Sequence, residues 1–228
     1  MSFEFATSSS STCWPVTINP HEITAATTYS SGTANSNSHQ ITAVTTFPPY
    51  STSTNFSAHE DDILENMRKE ARECLDEDRY FKALELHEEI LKNNQHDEDD
   101  RKSASSWNLS KNRLRDINEL KKALCKNTIL TSLNLNNNKL GSDKGKILTD
   151  ALCQNTTLTS LNLILNDLGP KGGQILADAL CKNTTLTFLN LTYNVLGSEG
   201  GKALAEALYE NTTLTFLNIG GNSIGPEG

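Results

Sequence analysis

The residues whose types and spacing could support chemistry fall into three groups: a phosphate cradle, a nucleophile or metal set, and paired carboxylates. Gly197-Ser198-Glu199-Gly200-Gly201-Lys202 resembles a glycine-rich phosphate loop. Such a loop wraps a phosphate in backbone N–H groups, reaches it with lysine and holds the metal with a following Ser or Thr. Here the spacing is one residue short, and Ala203 follows Lys202. The pattern also recurs at a fixed interval, which is what a structural turn would do. The five histidines are His21, His39, His59, His87 and His96, and none has a Cys and Asp arrangement suited to a nucleophile or a metal. The carboxylate pairs Asp61-Asp62 and Asp99-Asp100 lie in charged runs and are expected to be solvated. Cys125, Cys153 and Cys181 recur at one position, taken by Tyr209 in a fourth copy. Their spacing is not a metal pattern, and small buried side chains in a reducing compartment are expected. No catalytic residue, metal or cofactor is therefore expected.

Composition narrows the function classes further. The chain has 228 residues and a formal net charge of −8, so nothing points to nucleic acid. Residues 1–57 hold 12 Ser, 12 Thr and no Lys or Arg, and are expected to form a disordered tail that permits phosphorylation. Residues 58–100 carry 16 acidic and 6 basic side chains, whereas residues 101–228 carry 10 and 14. The N-terminus has neither a basic n-region nor an apolar h-region. The first basic residue is Arg68, which argues against a mitochondrial transit peptide. No apolar run approaches the ~20 residues that a membrane span needs, so no membrane partner is expected. A cytosolic protein is expected, with the nucleus as the other compartment. The Asn-Thr-Thr triplets at Asn155, Asn183 and Asn211 match a glycosylation acceptor. Without a secretory route they read as by-products of a repeat.

That repeat organises the rest of the chain. ALCKNTILTSLNLNNNKLGSDKGKILTD from Ala123 returns as ALCQNTTLTSLNLILNDLGPKGGQILAD from Ala151 and ALCKNTTLTFLNLTYNVLGSEGGKALAE from Ala179. A fourth copy from Ala207 stops at Gly228. A fixed period implies a stack, because one unit cannot bury its apolar face alone. Leu161-Asn162-Leu163 alternates as a strand with the leucines inward. Gly169-Pro170-Lys171-Gly172-Gly173 turns the chain. Ile175, Leu176, Ala179 and Leu180 then mark one helix face. Asn155, at the preceding helix end, suits a left-handed cap. The expected fold class is an α/β solenoid with parallel strands inside and helices outside. Roughly seven buried aliphatic side chains per unit, at ~1.5–3 kcal/mol each before entropy, make three and a half units marginally stable.

The pattern L-x-x-L-x-L-x-x-N-x-L, carried by Leu158, Leu161, Leu163, Asn166 and Leu168, resembles the leucine-rich repeat. The 28-residue length with N-x-L-G-x-x-G-G resembles its ribonuclease-inhibitor-like class, over about residues 103–228. That class includes the ribonuclease inhibitor, the Ran GTPase-activating proteins and the repeat domains of nucleotide-binding immune receptors. The resemblance implies the fold and a protein partner, but no particular partner. It also implies that Asn138, Asn166, Asn194 and Asn222 point inward and satisfy backbone groups of the turn, a structural role.

The units at either end differ. Trp107-Asn108-Leu109-Ser110-Lys111-Asn112-Arg113-Leu114 aligns with Leu133 through Leu140, with Trp107 in place of a core leucine, and suits an N-terminal cap. The fourth unit ends before its helix, leaving an apolar strand face expected to meet a longer natural chain, a partner, or a second copy by self-association. Residues 61–93 read as two helices, capped at Asp61 or Asp62, with Ile63, Met67, Ala71 and Cys74 on one stripe. With Tyr80, Ala83, Leu84, His87, Ile90 and Leu91, they resemble a single tetratricopeptide-like hairpin. Docking on the Trp107 end is expected, with pairing to another chain or partial folding as the alternatives. Residues 93–100 would be a linker.

The candidate partner-binding residues follow from strand alternation. Outward positions include Asn134, Asn162, Asn190 and Asn218, with Ile164, Phe188 and Phe216 beside them and Tyr193 just past its strand. Phe188 and Phe216 should stand side by side as apolar anchors on a concave face. The expected function is a non-catalytic protein-interaction module. The competing readings are an enzyme regulator (an inhibitor or a GTPase activator) and a fragment of a larger nucleotide-binding sensor.

Overall fold

The computed structural model describes residues 54–111 and 114–226. The tail expected over residues 1–57 lies outside the described residues, except for its last four positions, which open the first helix. Three helices come first: α1 (Thr54–Asp76), α2 (Tyr80–Asn93) and α3 (Glu98–Ser105). Five strands alternating with four helices follow: β1 (Ser106–Asn108), α4 (Ile117–Lys126), β2 (Ser132–Asn134), α5 (Gly141–Leu152), β3 (Ser160–Asn162), α6 (Gly169–Leu180), β4 (Phe188–Asn190), α7 (Gly197–Glu210) and β5 (Phe216–Asn218). The strands form one parallel sheet in chain order. This is a leucine-rich-repeat-type α/β fold.

Register follows the repeat. Leu133, Leu161, Leu189 and Leu217 stand in one row across β2 to β5, and Trp107 extends that row into β1. The central residue of β1 to β4 is buried and its two flanking residues face the other way, as a period of two demands. Leu158, Leu161, Leu163, Leu168 and Leu176 of the second copy and Leu180, which ends its helix, are all 3% exposed or less. The helices close over this row. At the last strand the cover thins: Leu214, Leu217 and Ile219 are half-buried, whereas Leu186, Leu189 and Leu191 are buried.

The helices α5, α6 and α7 each start on a bond to the next repeat. The N–H groups of Gly141, Gly169 and Gly197 donate to the carbonyls of Asn166, Asn194 and Asn222 at 2.9, 2.9 and 3.0 Å. All three glycines have φ near +60°, and Leu140, Leu168 and Leu196 before them offer no side-chain cap. The left-handed backbone therefore lies before the helices. Asn155 is not in the left-handed region, and its counterparts Asn127 and Asn211 are extended at φ −62° and −77°. The left-handed cap expected at Asn155 is replaced by a cross-repeat clasp. Its Oδ1 accepts from the N–H of Thr157 and Leu158, and its Nδ2 donates to the Leu124 carbonyl at 2.8 Å. A side chain that can satisfy three buried backbone groups at once has more to gain there than from a local cap.

Three further expectations are corrected. Cys153 and Cys181 are exposed and Cys125 is half-buried. They follow the buried Leu124, Leu152 and Leu180 by one position, which turns a helical side chain by about 100° away from the core stripe. The linker expected over residues 93–100 runs into α3, because Asp97 caps that helix by accepting from the Asp100 N–H at 2.9 Å. Asp100 is only 5% exposed, not solvated. The Arg68 guanidinium grips both its oxygens at 2.7 Å, Nε to Oδ1 and Nη2 to Oδ2, and Asn94 adds a third bond at 3.0 Å. These contacts hold the Asp100 carboxyl below the usual carboxylate range.

The α1–α2 hairpin packs on the first repeat unit. Ala71, Cys74, Tyr80, Ala83 and Leu84 share one apolar cluster with Trp107, Leu109 and Leu120. Ile63, expected on the buried stripe, is 46% exposed.

One strained residue makes a stability prediction. Val195 has φ +57° and is 58% exposed, yet a β-branched residue is rarely stable in the left-handed region. Its counterparts are Lys139, Asp167 and Ser223. Val195→Asn should raise stability by about 1 kcal/mol, since Asn tolerates this conformation and little burial is lost. A urea midpoint equal to or below that of the parent chain would contradict the assignment of strain.

Candidate functional site

The helices cover one side of the sheet, so the outward residues of the five strands form its open face. Their identities are Ser106 and Asn108, Ser132 and Asn134, Ser160 and Asn162, Phe188 and Asn190, then Phe216 and Asn218. None of these side chains titrates in the physiological range. A face of this kind can bind through hydrogen bonds and apolar contact, but it offers no general acid or base.

Phe188 and Phe216 are register partners on β4 and β5. Their rings lie 4.4 Å apart and 1° from parallel, with Phe188 half-buried and Phe216 46% exposed. The pair forms one two-ring surface. Tyr193 is 57% exposed but does not join the pair. Its ring lies against the backbone of Gly221, where an added Cβ would come within 2.5 Å of Cδ1 and Cε1. No ring pair joins it to either phenylalanine among the described residues. Ile164 is half-buried two residues past Asn162, and its N–H donates to the Asn162 Oδ1 at 3.1 Å.

The outward asparagines are organised in the same way. Asn134, Asn162, Asn190 and Asn218 stand in register and half-buried. Each Oδ1 accepts from the backbone N–H two residues on, at 3.0, 3.1, 3.1 and 3.0 Å. In strand geometry this ties each ladder residue to the turn that follows it.

Asn138, Asn166, Asn194 and Asn222 lie on the other side, at most 2% exposed. Their Nδ2 atoms donate to the backbone carbonyls of their own repeat and the preceding one, for example Asn194 to Leu191 at 2.9 Å and to Leu163 at 2.8 Å. The Oδ1 atoms of Asn166, Asn194 and Asn222 accept from the matching N–H of the preceding repeat, and that of Asn138 accepts from the Leu114 N–H at 3.4 Å.

Counting only strand positions misses Leu165 and Val195, which are 45% and 58% exposed. Leu165 has φ +56° and occupies the same turn position as Tyr193, whose φ is +58°. The available signal was residue type: leucine and valine stand at repeat positions where other copies have Asn137, Lys139, Asp167 or Ser223.

The glycines of the phosphate-loop-like pattern serve packing. Gly197 begins α7 at φ +62°, and a Cβ at Gly201 would meet Ile224 Cγ2 at 2.7 Å. A cavity of about 320 Å³ lies by the hairpin, lined by Arg68, His87, Asp97 and Asp100, but its arginine and aspartate already pair with each other. Among the described residues no group of His, Cys, Asp or Glu could hold a metal ion. No helix among them is long and apolar enough to cross a membrane.

The family model described as Leucine Rich repeat matches residues 126–143, 154–177, 182–205 and 210–228, so the chain carries leucine-rich repeats. No curated protein matches it. Among solved structures it is similar to a structure described as leiomodin-1 actin-binding site 2, at 28% identity over 51% of this chain and 70% of that one, with a TM-score of 0.48. It is also similar to the tropomodulin C-terminal domain of Caenorhabditis elegans, at 16% identity over 50% of this chain and 72% of that one, with a TM-score of 0.45.

Proposed function

We propose that this chain is a non-catalytic interaction module whose protein partner seats on the open sheet face and is anchored by Phe188 and Phe216. One observation carries the reading: two stacked rings, one of them nearly half exposed, at the β5 end of an uncharged face. Aromatic surface left in water gains when a partner covers it. Asn162, Asn190 and Asn218 would orient that partner, with Ile164 and Tyr193 as flanking contacts. Within the repeat class, the 28-residue strand, turn and helix unit supports the ribonuclease-inhibitor-like type. The buried Ala83 of α2 supports a tetratricopeptide-like cap. Exposed thiols at Cys153 and Cys181 support a reducing compartment, the cytosol or the nucleus. So do the sequon residues Asn155 and Asn183, which are 4% and 5% exposed with Nδ2 already bonded to the preceding repeat.

A photo-crosslinking amino acid at position 218 tests the face, with one at Gln174 on the outer helix α6 as control. Partners should crosslink from position 218 and not from 174. Phe188→Ala/Phe216→Ala should weaken the captured complex by about 2 kcal/mol or more, roughly thirtyfold. Equal crosslinking from both positions, or a double variant that binds as well as the parent, would overturn the reading.

A further inference from the structure

We infer that the open face is a row of hydrogen-bond donors made for an uncharged, acceptor-rich peptide segment; this rests on the open-face reading above and specifies its occupant. The orientation of each outward amide is fixed by chemistry. A backbone N–H can only donate, so the side-chain atom facing it must be the oxygen. Ile164, Thr192 and Gly220 each point an N–H at the ladder, and the oxygens of Asn162, Asn190 and Asn218 accept them at 3.1, 3.1 and 3.0 Å. The Thr192 hydroxyl also donates to the Asn190 Oδ1, at 2.6 Å. With the oxygens engaged, the NH₂ groups are what the ladder presents. Asn134 donates its Nδ2 to Asn108 at 3.0 Å, but the Nδ2 atoms of Asn162, Asn190 and Asn218 meet no acceptor among the described residues. Three donors therefore stand in register on adjacent strands, about 4.8 Å apart, alongside the two stacked rings.

A partner that meets this row must supply oxygens. Two kinds are common: backbone carbonyls and carboxylates. The face favours carbonyls. No outward strand position from β1 to β5 carries a charge. A carboxylate pressed there would lose water without gaining an opposite charge. A neutral extended segment has a carbonyl at every residue and would add an apolar or aromatic side chain over Phe188 and Phe216. Binding of this kind depends weakly on salt, because exposed charges are not what holds it.

Asn→Asp separates the donor from the structural role. Asp keeps the oxygen that accepts the Thr192 N–H but replaces the outward NH₂ with a second acceptor. The probe is a library of short synthetic peptides with one Phe, Tyr or Pro, flanked either by uncharged residues or by Glu, presented to the full chain. Uncharged-flank peptides should be enriched, and their affinity should change less than about twofold between low and high salt. Asn190→Asp should weaken them about tenfold or more, as for a lost buried hydrogen bond, with an unchanged urea midpoint. Gln174→Glu, the same amide-to-carboxylate change on exposed α6, should leave them unaltered. Enrichment of Glu-flanked peptides, or an Asn190→Asp chain that binds like the parent, would overturn the donor-row inference. If that happens while Phe188→Ala/Phe216→Ala still abolishes binding, the open-face reading stands and only its occupant is wrong. If nothing is enriched on the parent over the double phenylalanine variant, both fall.

Discussion

Asn194→Ala should destabilise the chain by about 3–5 kcal/mol, the largest effect expected of any single side chain in the repeats. Asn194 is fully buried. Its Nδ2 donates to the Leu163 and Leu191 carbonyls at 2.8 and 2.9 Å, and its Oδ1 accepts from the Asn166 N–H at 3.1 Å. Alanine would take the side-chain partner from the Leu163 carbonyl and the Asn166 N–H, each costing about 1–3 kcal/mol, while the Leu191 carbonyl would keep its bond from the Asn222 Nδ2 at 2.8 Å. Water entry would recover part of this, so the sum is an upper bound. The loss also cuts a chain of bonds, since Asn138, Asn166, Asn194 and Asn222 are linked from repeat to repeat. In a repeat stack, stability is a sum of units and nearest-neighbour interfaces, so severing one interface uncouples what lies beyond it. Asn194→Asp is expected to be worse at neutral pH. It turns an oxygen toward two carbonyls and buries a charge with no cation beside it. Urea unfolding followed by circular dichroism would measure both. A loss below about 1 kcal/mol for Asn194→Ala would show that the ladder is not what joins the repeats.

The two asparagine series share a residue type and differ in fate, and that difference was legible. Alternation assigns Asn190 outward and Leu189 inward, because successive strand side chains must point to opposite faces. A strict 28-residue period then places Phe188 beside Phe216, since equal repeats put equal positions in register. What depends on contacts between repeats was not legible. The clasp at Asn155 needs the Leu124 carbonyl of the preceding repeat, and a local propensity rule sees only the helix end. The exposed cysteines come from the rotation of helices against the sheet, which the apolar spacing fixes only to within a residue. Asp100 lies in an acidic run and reads as solvated until Arg68, on another helix, is seen to bind it. Leu165 and Val195 stood outside the alternating pattern, so the rule that found the phenylalanines could not find them.

The hairpin end carries the second large effect, a loss of roughly 3 kcal/mol of stability between about pH 6.5 and pH 4. His87 on α2 is 5% exposed, with its ring 6.1 Å from that of Trp107. Burial pushes its pKa down from 6.5 to about 4, against a weaker upward pull from Asp100. The other charged groups around it are Arg68 and Arg72 with Glu65 on α1, and Asp97 and Asp99 at the start of α3. The folded pKa lies below the unfolded one, so the unfolded chain takes up a proton first as the pH falls. Stability is therefore complete above pH 6.5, drains as the pH falls, and stops draining on this account below the folded value. Asp100 adds a loss of the same sign at lower pH, because the Arg68 bonds hold its pKa down and protonation weakens them. His87→Phe would remove the imidazole while keeping an aromatic ring against Trp107. Its midpoint should be flat from pH 7 to 5, where the parent chain weakens. A parent chain equally stable at pH 7 and pH 5, or a His87→Phe chain with the same slope as the parent, would mean that His87 is hydrated in the folded state and that the hairpin opens there.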